Sequence, residues 1–135
     1  MKTAGYSGTP LPKKLGIKPA ATVALLGAPG DFERTLGSLP EAATLTRVAA
    51  RKSELSIWFV RSLRELERGM PKAAARAASG PLWIAWTKKA ADPTSEVGEG
   101  DVRASGLAAG LVDYKICAID ATWSGLLFAR RKTRA

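Results

Sequence analysis

Two apolar runs frame this chain. Leu55–Val60 (LSIWFV) and Pro81–Trp86 (PLWIAW) are short, rich in β-branched and aromatic residues, and free of polar alternation. Between them lies Ser62–Ser79 (SLRELERGMPKAAARAAS), a polar and alanine-rich connector of helical length. Strand-length apolar runs on either side of a helix read as a β-α-β unit of a parallel sheet. The lack of alternation means that both strands are covered on both faces, as in a three-layer α/β sandwich.

The pattern extends in both directions. Thr22–Leu26 reads as the first strand and leaves through the loop Gly27-Ala28-Pro29-Gly30. Asp31 is placed to cap a short helix over Phe32–Leu36, which Gly37 and Pro40 close. A weaker strand near Thr44–Val48 follows, and the polar stretch Ala50–Glu54 leads into Leu55–Val60. In the connector, Leu63, Leu66 and Met70 share one face for packing on the sheet. Pro71 predicts a break there, with a restart over Lys72–Ala78. Arg64, Arg68, Lys72 and Arg76 recur every four residues and form a continuous basic stripe only if the helix runs through Pro71.

Beyond Trp86, a polar loop leads to Asp101, a candidate cap for a helix over Val102–Ala109 that Gly110 stops. Val112–Ile119 and Ser124–Arg130 read as the last two strands. Asp120–Trp123 between them has Asx-turn character, and so short a link makes the pair antiparallel. At the other end, Ala4–Leu11 is an irregular lead-in, and Pro12–Ile17 a helical turn whose Leu15 and Ile17 dock on the body. The expected organisation is a basic N-terminal segment over 1–20, an α/β body over 21–131 and a basic tail over 132–135.

Composition narrows the chemistry. At 135 residues and 46% apolar content, the chain suits one domain with a true core. No apolar run approaches membrane-spanning length and the opening residues lack a signal peptide's apolar core, which points to the cytoplasm and away from a membrane. The single cysteine, Cys117, sits inside an apolar strand and reads as a small buried side chain. With no histidine and one cysteine, zinc sites of the usual ligand sets and imidazole triads are excluded.

The net charge of +9 is concentrated at the ends. Lys2, Lys13, Lys14 and Lys18 open the chain and Arg130, Arg131, Lys132 and Arg134 close it, leaving thirteen basic against twelve acidic residues between. Such ends serve either as solubilising tails or as loose contacts for polyanions such as nucleic acid. The acids do not converge on general acid–base work. Glu65 and Glu67 point to different helix faces, while Glu96, Glu99 and Asp101 read as compensation for a helix N-terminus.

The order β-α-β-β-α-β-α-β-β with a closing hairpin resembles a truncated class I methyltransferase. GPLWIAWTKKA resembles the strand after that family's glycine-glycine turn, and GLVDYKICAIDATWSGLLFARR its closing hairpin. Four blocks are also similar to a bacterial family of small single-domain proteins (domain of unknown function 3052): AGYSGTPLPKKLGIKPA, LLGAP, LWIAWTKKA and GLVDYKICAIDATWSGLLFARR. Both resemblances imply a Rossmann-like domain of about six strands, mostly parallel, with a C-terminal antiparallel hairpin. Ligands of open parallel sheets gather beyond the C-terminal strand ends.

There the methyltransferase likeness implies a glycine-rich turn after the first strand and an acid ending the second, which together hold S-adenosylmethionine. This chain has GAPG rather than G-x-G-x-x-G, and TRVAARKSE with Arg47, Arg51 and Lys52, its nearest acid being Glu54. The expected site is therefore a strand-end rim of Gly27, Ala28, Pro29, Gly30, Trp86, Lys88 and Lys89. It would bind a small anionic ligand or a partner protein, without catalysis and with no bound cofactor. Trp86 and Trp123, at strand ends, could wall such a cleft, whereas Trp58 and Trp83 sit mid-strand in the core. The rival readings are an S-adenosylmethionine-dependent transferase with a divergent pocket and a nucleic-acid accessory protein acting through its basic ends.

Overall fold

The computed structural model describes residues 9–48 and 52–132. Its elements run α1 (Leu11–Leu15), β1 (Thr22–Leu26), α2 (Phe32–Leu36), β2 (Thr44–Thr46), β3 (Leu55–Phe59), α3 (Leu63–Arg76), β4 (Leu82–Thr87), α4 (Glu99–Ala108), β5 (Leu111–Ala118) and β6 (Trp123–Arg130). The six strands form one sheet in the order β2-β1-β3-β4-β6-β5. β2, β1, β3 and β4 run parallel, while β6 is antiparallel to both β4 and β5. The expected fold class is the observed one. No helix among the described residues is long and apolar enough to cross a membrane.

Alternation along the central strands builds two cores. Leu55, Ile57 and Phe59 of β3 join Trp83 of β4, Phe32 and Leu36 of α2 and Leu15 of α1 on one face. Trp58, Leu82, Ile84 and Trp86 meet Leu66, Met70 and Ala73 of α3 and Val102 of α4 on the other. Every residue of β3 is buried, which is why its sequence carries no polar alternation. The segment around α1 is fastened to the first face. The indole N–H of Trp83, fully buried, donates to the Leu15 carbonyl at 2.9 Å, and Lys115 Nζ donates to the Lys14 carbonyl at 2.8 Å.

α3 departs from expectation in two ways. It is one helix, with Pro71 inside it, not two pieces. The proline lies on the exposed side, and the carbonyl it leaves without a donor belongs to Glu67, also exposed, so water can satisfy it. Nor does Leu63 pack on the sheet: it opens the helix at the rim and stays 43% exposed. The packing stripe is Leu66, Met70, Ala73 and Ala77 instead.

Two caps also differ. Asp31 makes no side-chain cap, so α2 starts without one. Asp101 lies within α4, at its third position, and its carboxylate accepts the Gly98 N–H at 3.0 Å. The Asx turn forms as expected, with Asp120 Oδ1 accepting from the N–H groups of Thr122 and Trp123, each at 2.8 Å.

Helix-to-sheet contact is close because glycines permit it. A Cβ on Gly106 of α4 would fall inside the Phe128 ring's contact distance, whereas one on Gly100 of the same helix meets nothing within 4 Å. Gly106→Ala is therefore expected to cost about 1–3 kcal/mol by overpacking. Gly100→Ala should gain up to about 1 kcal/mol from helix propensity. Urea unfolding of the two variants beside wild type checks the opposite signs.

Candidate functional site at the strand ends

The chain leaves β1 toward β2 on one side and leaves β3 toward β4 on the other, so the strand order reverses between β1 and β3. In open α/β sheets that reversal opens a crevice beyond the carboxyl ends of the strands. Here its walls are the loop Gly27–Gly30 after β1, Arg61 and Ser62 after β3, and the β5–β6 turn, which the β4–β6 pairing brings beside the end of β4.

Gly27 is required by geometry. Its φ is +69°, and a Cβ would stand 3.2 Å from the Phe59 carbonyl oxygen. The loop is closed by Arg47, the first residue after β2. Its Nη1 donates to the Ala28 carbonyl at 3.0 Å and its Nη2 to the Pro29 carbonyl at 2.6 Å, while Nε and Nη2 grip the Glu33 carboxylate at 2.9 Å each. This bidentate pair holds the Glu33 carboxyl at about 2, the hydrogen bond from Arg47 being the main cause.

The N-terminus of α3 is likewise satisfied internally. Ser62 Oγ accepts from the Glu65 N–H at 3.0 Å, Glu65 Oε1 accepts from the Arg61 N–H at 2.7 Å, and Glu96 Oε1 accepts from the Leu63 N–H at 2.9 Å. Glu99 pairs with Arg103 at 2.7 Å. Glu96, Glu99 and Asp101 thus act separately, and no group of acids, cysteine and histidine able to hold a metal occurs among the described residues. Cys117 is buried, and that burial pushes its thiol up.

The expected rim residues have unequal fates. Gly27–Gly30 and Lys89 reach the rim, with Gly27, Gly30 and Lys89 exposed. Lys88 is half-buried; its Nζ donates to the Asp120 carbonyl at 2.7 Å and fixes the β5–β6 turn. Trp86 is 6% exposed and belongs to the core under α3 and α4, so it walls no cleft at the rim. Trp123 is 5% exposed, standing edge-on to Phe59 with centroids 5.0 Å apart. Arg51 and the basic residues Lys2 and Arg134 lie outside the described residues.

Arg61 is the residue that sequence reasoning passed over. Its guanidinium lies over the Trp123 ring, 5.2 Å from the ring centroid, with Nη1 3.7 Å from where a Gly27 Cβ would be. Among the described residues it has no ion-pair partner. The signal was positional: it is the charged residue directly after the apolar run of β3, at the strand end where ligands bind.

An S-adenosylmethionine site of the kind the sequence resemblance implies does not fit these residues. The position after β2 holds a donor, Arg47, turned onto the loop's own carbonyls, instead of an acceptor for ribose hydroxyls. Glu54, the nearest acid in sequence, lies at the opposite end of the sheet, where its Oε1 accepts the Thr22 N–H at 2.6 Å.

No family model matches the chain, and neither does any curated protein. Solved structures do match it in fold. A candidate type 11 methyltransferase from Sulfolobus solfataricus is 11% identical, with a TM-score of 0.56 over 93% of this chain and 92% of that one. The CcbJ methyltransferase from Streptomyces caelestis is 7% identical, with a TM-score of 0.53 over 90% and 87%. A protein of the NADB-Rossmann superfamily from Streptococcus agalactiae is 7% identical, with a TM-score of 0.57 over 94% and 70%. The fold is methyltransferase-like. At such identities the likeness is one of architecture, and the four sequence blocks stand as a resemblance.

The Arg47–Glu33 clamp gives a pH test. Glu33 is lowered in the folded state, so its stabilisation is present above the ordinary carboxylate value of 4.5 and is lost as pH falls toward about 2. Both side chains are well exposed, at 39% and 45%, so the contribution is expected to stay within about 1 kcal/mol. A carboxyl NMR titration should place Glu33 near 2 in wild type and return it to the ordinary range in Arg47→Met.

Proposed function

We propose that this protein is a binding domain on a methyltransferase-type scaffold, holding a small anionic ligand at the ends of β1, β3 and β4 without transferring methyl groups. The observation that carries this reading is Arg61, whose guanidinium lies over Trp123 beside Gly27 with no carboxylate paired to it among the described residues. A planar guanidinium on an aromatic face keeps its outer N–H groups free for two-point contact with phosphate or carboxylate. Lys89, exposed just past β4, adds a second cation, and Lys88 holds the adjoining turn. The Gly27–Gly30 loop supplies the wall, held by Arg47. We place the domain in the cytoplasm, and the same reading extends to the small bacterial proteins that the four sequence blocks resemble.

The rival is a transferase with a divergent S-adenosylmethionine pocket, which the fold likeness favours and Arg47 disfavours. Pyrophosphate and S-adenosylmethionine titrated separately by calorimetry distinguish them. Pyrophosphate is expected to bind, and Arg61→Met to weaken it about tenfold or more, the worth of a charge-assisted hydrogen bond. Lys89→Ala should have a smaller effect. Tight S-adenosylmethionine binding, or pyrophosphate affinity indifferent to Arg61→Met, would overturn the reading.

A further inference from the structure

A groove of about 690 Å³ runs along the flank of α3, on the opposite side of β3 from the Phe59 and Trp123 rings. This volume is within the ~300–1,000 Å³ typical of sites for drug-sized ligands. Its apolar lining is Leu26 of β1, Trp58 of β3 and Ala73 of α3, and its cations are Lys52, Lys72 and Arg76. Among the described residues, no acid lines it. We infer that this groove is a second binding site, separate from the strand-end rim, for an amphipathic anion: a flat apolar body ending in a sulfonate, phosphate or carboxylate.

Three features support that chemistry. First, the uninterrupted course of α3 through Pro71 places Gly69, Lys72, Ala73 and Arg76 along one flank. Second, a Cβ on Gly69 would collide with the Trp58 ring, so the bare glycine lets the indole approach the helix closely and line the groove. Third, two of the cations are suited to an incoming charge. Lys52 and Lys72 are exposed and have no ion-pair partner among the described residues. Arg76 is steadied by the hydroxyls of Ser53 and Ser56, at 3.4 and 3.5 Å from its Nη1. The cavity of about 570 Å³ beside Gly16 and Pro81 lacks this convergence: its acid, Glu54, is engaged with Thr22, and it has one lysine, Lys18.

The test uses 8-anilinonaphthalene-1-sulfonate and its uncharged analogue N-phenyl-1-naphthylamine, titrated into the whole chain by fluorescence and by amide and indole NMR shifts. The sulfonate is expected to bind at one saturable site, shifting the Trp58 indole N–H and the α3 flank. Lys52→Gln with Lys72→Gln should weaken it at least tenfold without changing affinity for the uncharged probe. Lys13→Gln with Lys132→Gln, an equal charge loss elsewhere, should leave both unchanged, as should Arg61→Met at the rim. Equal affinity for the two probes, indifference to the groove lysines in a variant that circular dichroism shows folded, or shifts centred away from α3 would each overturn the proposal. The Arg61→Met arm separates its failure from failure of the rim reading.

Discussion

The link between β2 and β3 constrains the rest of the molecule. β2 ends at Thr46 and β3 begins at Leu55, with β1 between them in the sheet. A crossover between parallel strands ordinarily takes a dozen or more residues and includes a helix. The residues from 47 to 54 are too few for that. At the start of the link, Arg47 turns onto the carbonyls of the Gly27–Gly30 loop. At its end, Glu54 is pinned to Thr22 from both sides, its side chain accepting and its backbone N–H donating at 2.9 Å. The groove over Leu26 and Trp58 lies beside α3, with Lys52 and Ser53 from the end of this link among its lining residues.

An aromatic series runs from α2 into the rim. Phe32 of α2 meets Phe59 of β3 edge to face at 4.9 Å, Phe59 meets Trp123 of β6 at 5.0 Å, and Arg61 covers Trp123. Each ring pair contributes about 0.5–1.5 kcal/mol beyond burial, and an exposed cation over a ring about 0.5–1 kcal/mol. The series joins the helix after β1 to the strand paired with β4. Core packing and the position of Arg61 are therefore one structural fact.

Most of the fold was legible because apolar runs report burial directly. The strands were readable from Thr22–Leu26 to Ser124–Arg130 within a residue or two, and the Asx turn at Asp120 from one residue type. What failed was local chemistry that tertiary context overrides. Pro71 reads as a break, yet its exposed position lets the helix continue. Asp31 and Asp101 have the right composition for caps, but capping depends on one backbone angle and on a shift of about three residues, which composition does not encode. The site was less legible than the fold. Trp86 reads as a rim residue by sequence position, but side chains alternate along a strand, and Trp86 follows Leu82 and Ile84 into the core under α3. Arg61 escaped notice because its importance arises from Trp123 and Gly27, which are distant in sequence.

The two rim arginines have different consequences for what can bind. Arg47 is neutralised: Glu33 takes two of its N–H contacts and loop carbonyls take the others, so it shapes the crevice and presents little charge. Arg61 has no such partner among the described residues and stands over Trp123 at the switch point. Because Arg61 is exposed, its guanidinium attracts an anion, and repels a cation, by about 1 kcal/mol. A sulfonium cation in the same place would be repelled, and would also lack the acceptor whose position Arg47 occupies. A methyltransferase-like fold here carries arginines just past the ends of β2 and β3, and under the proposed reading these favour an anion over a sulfonium.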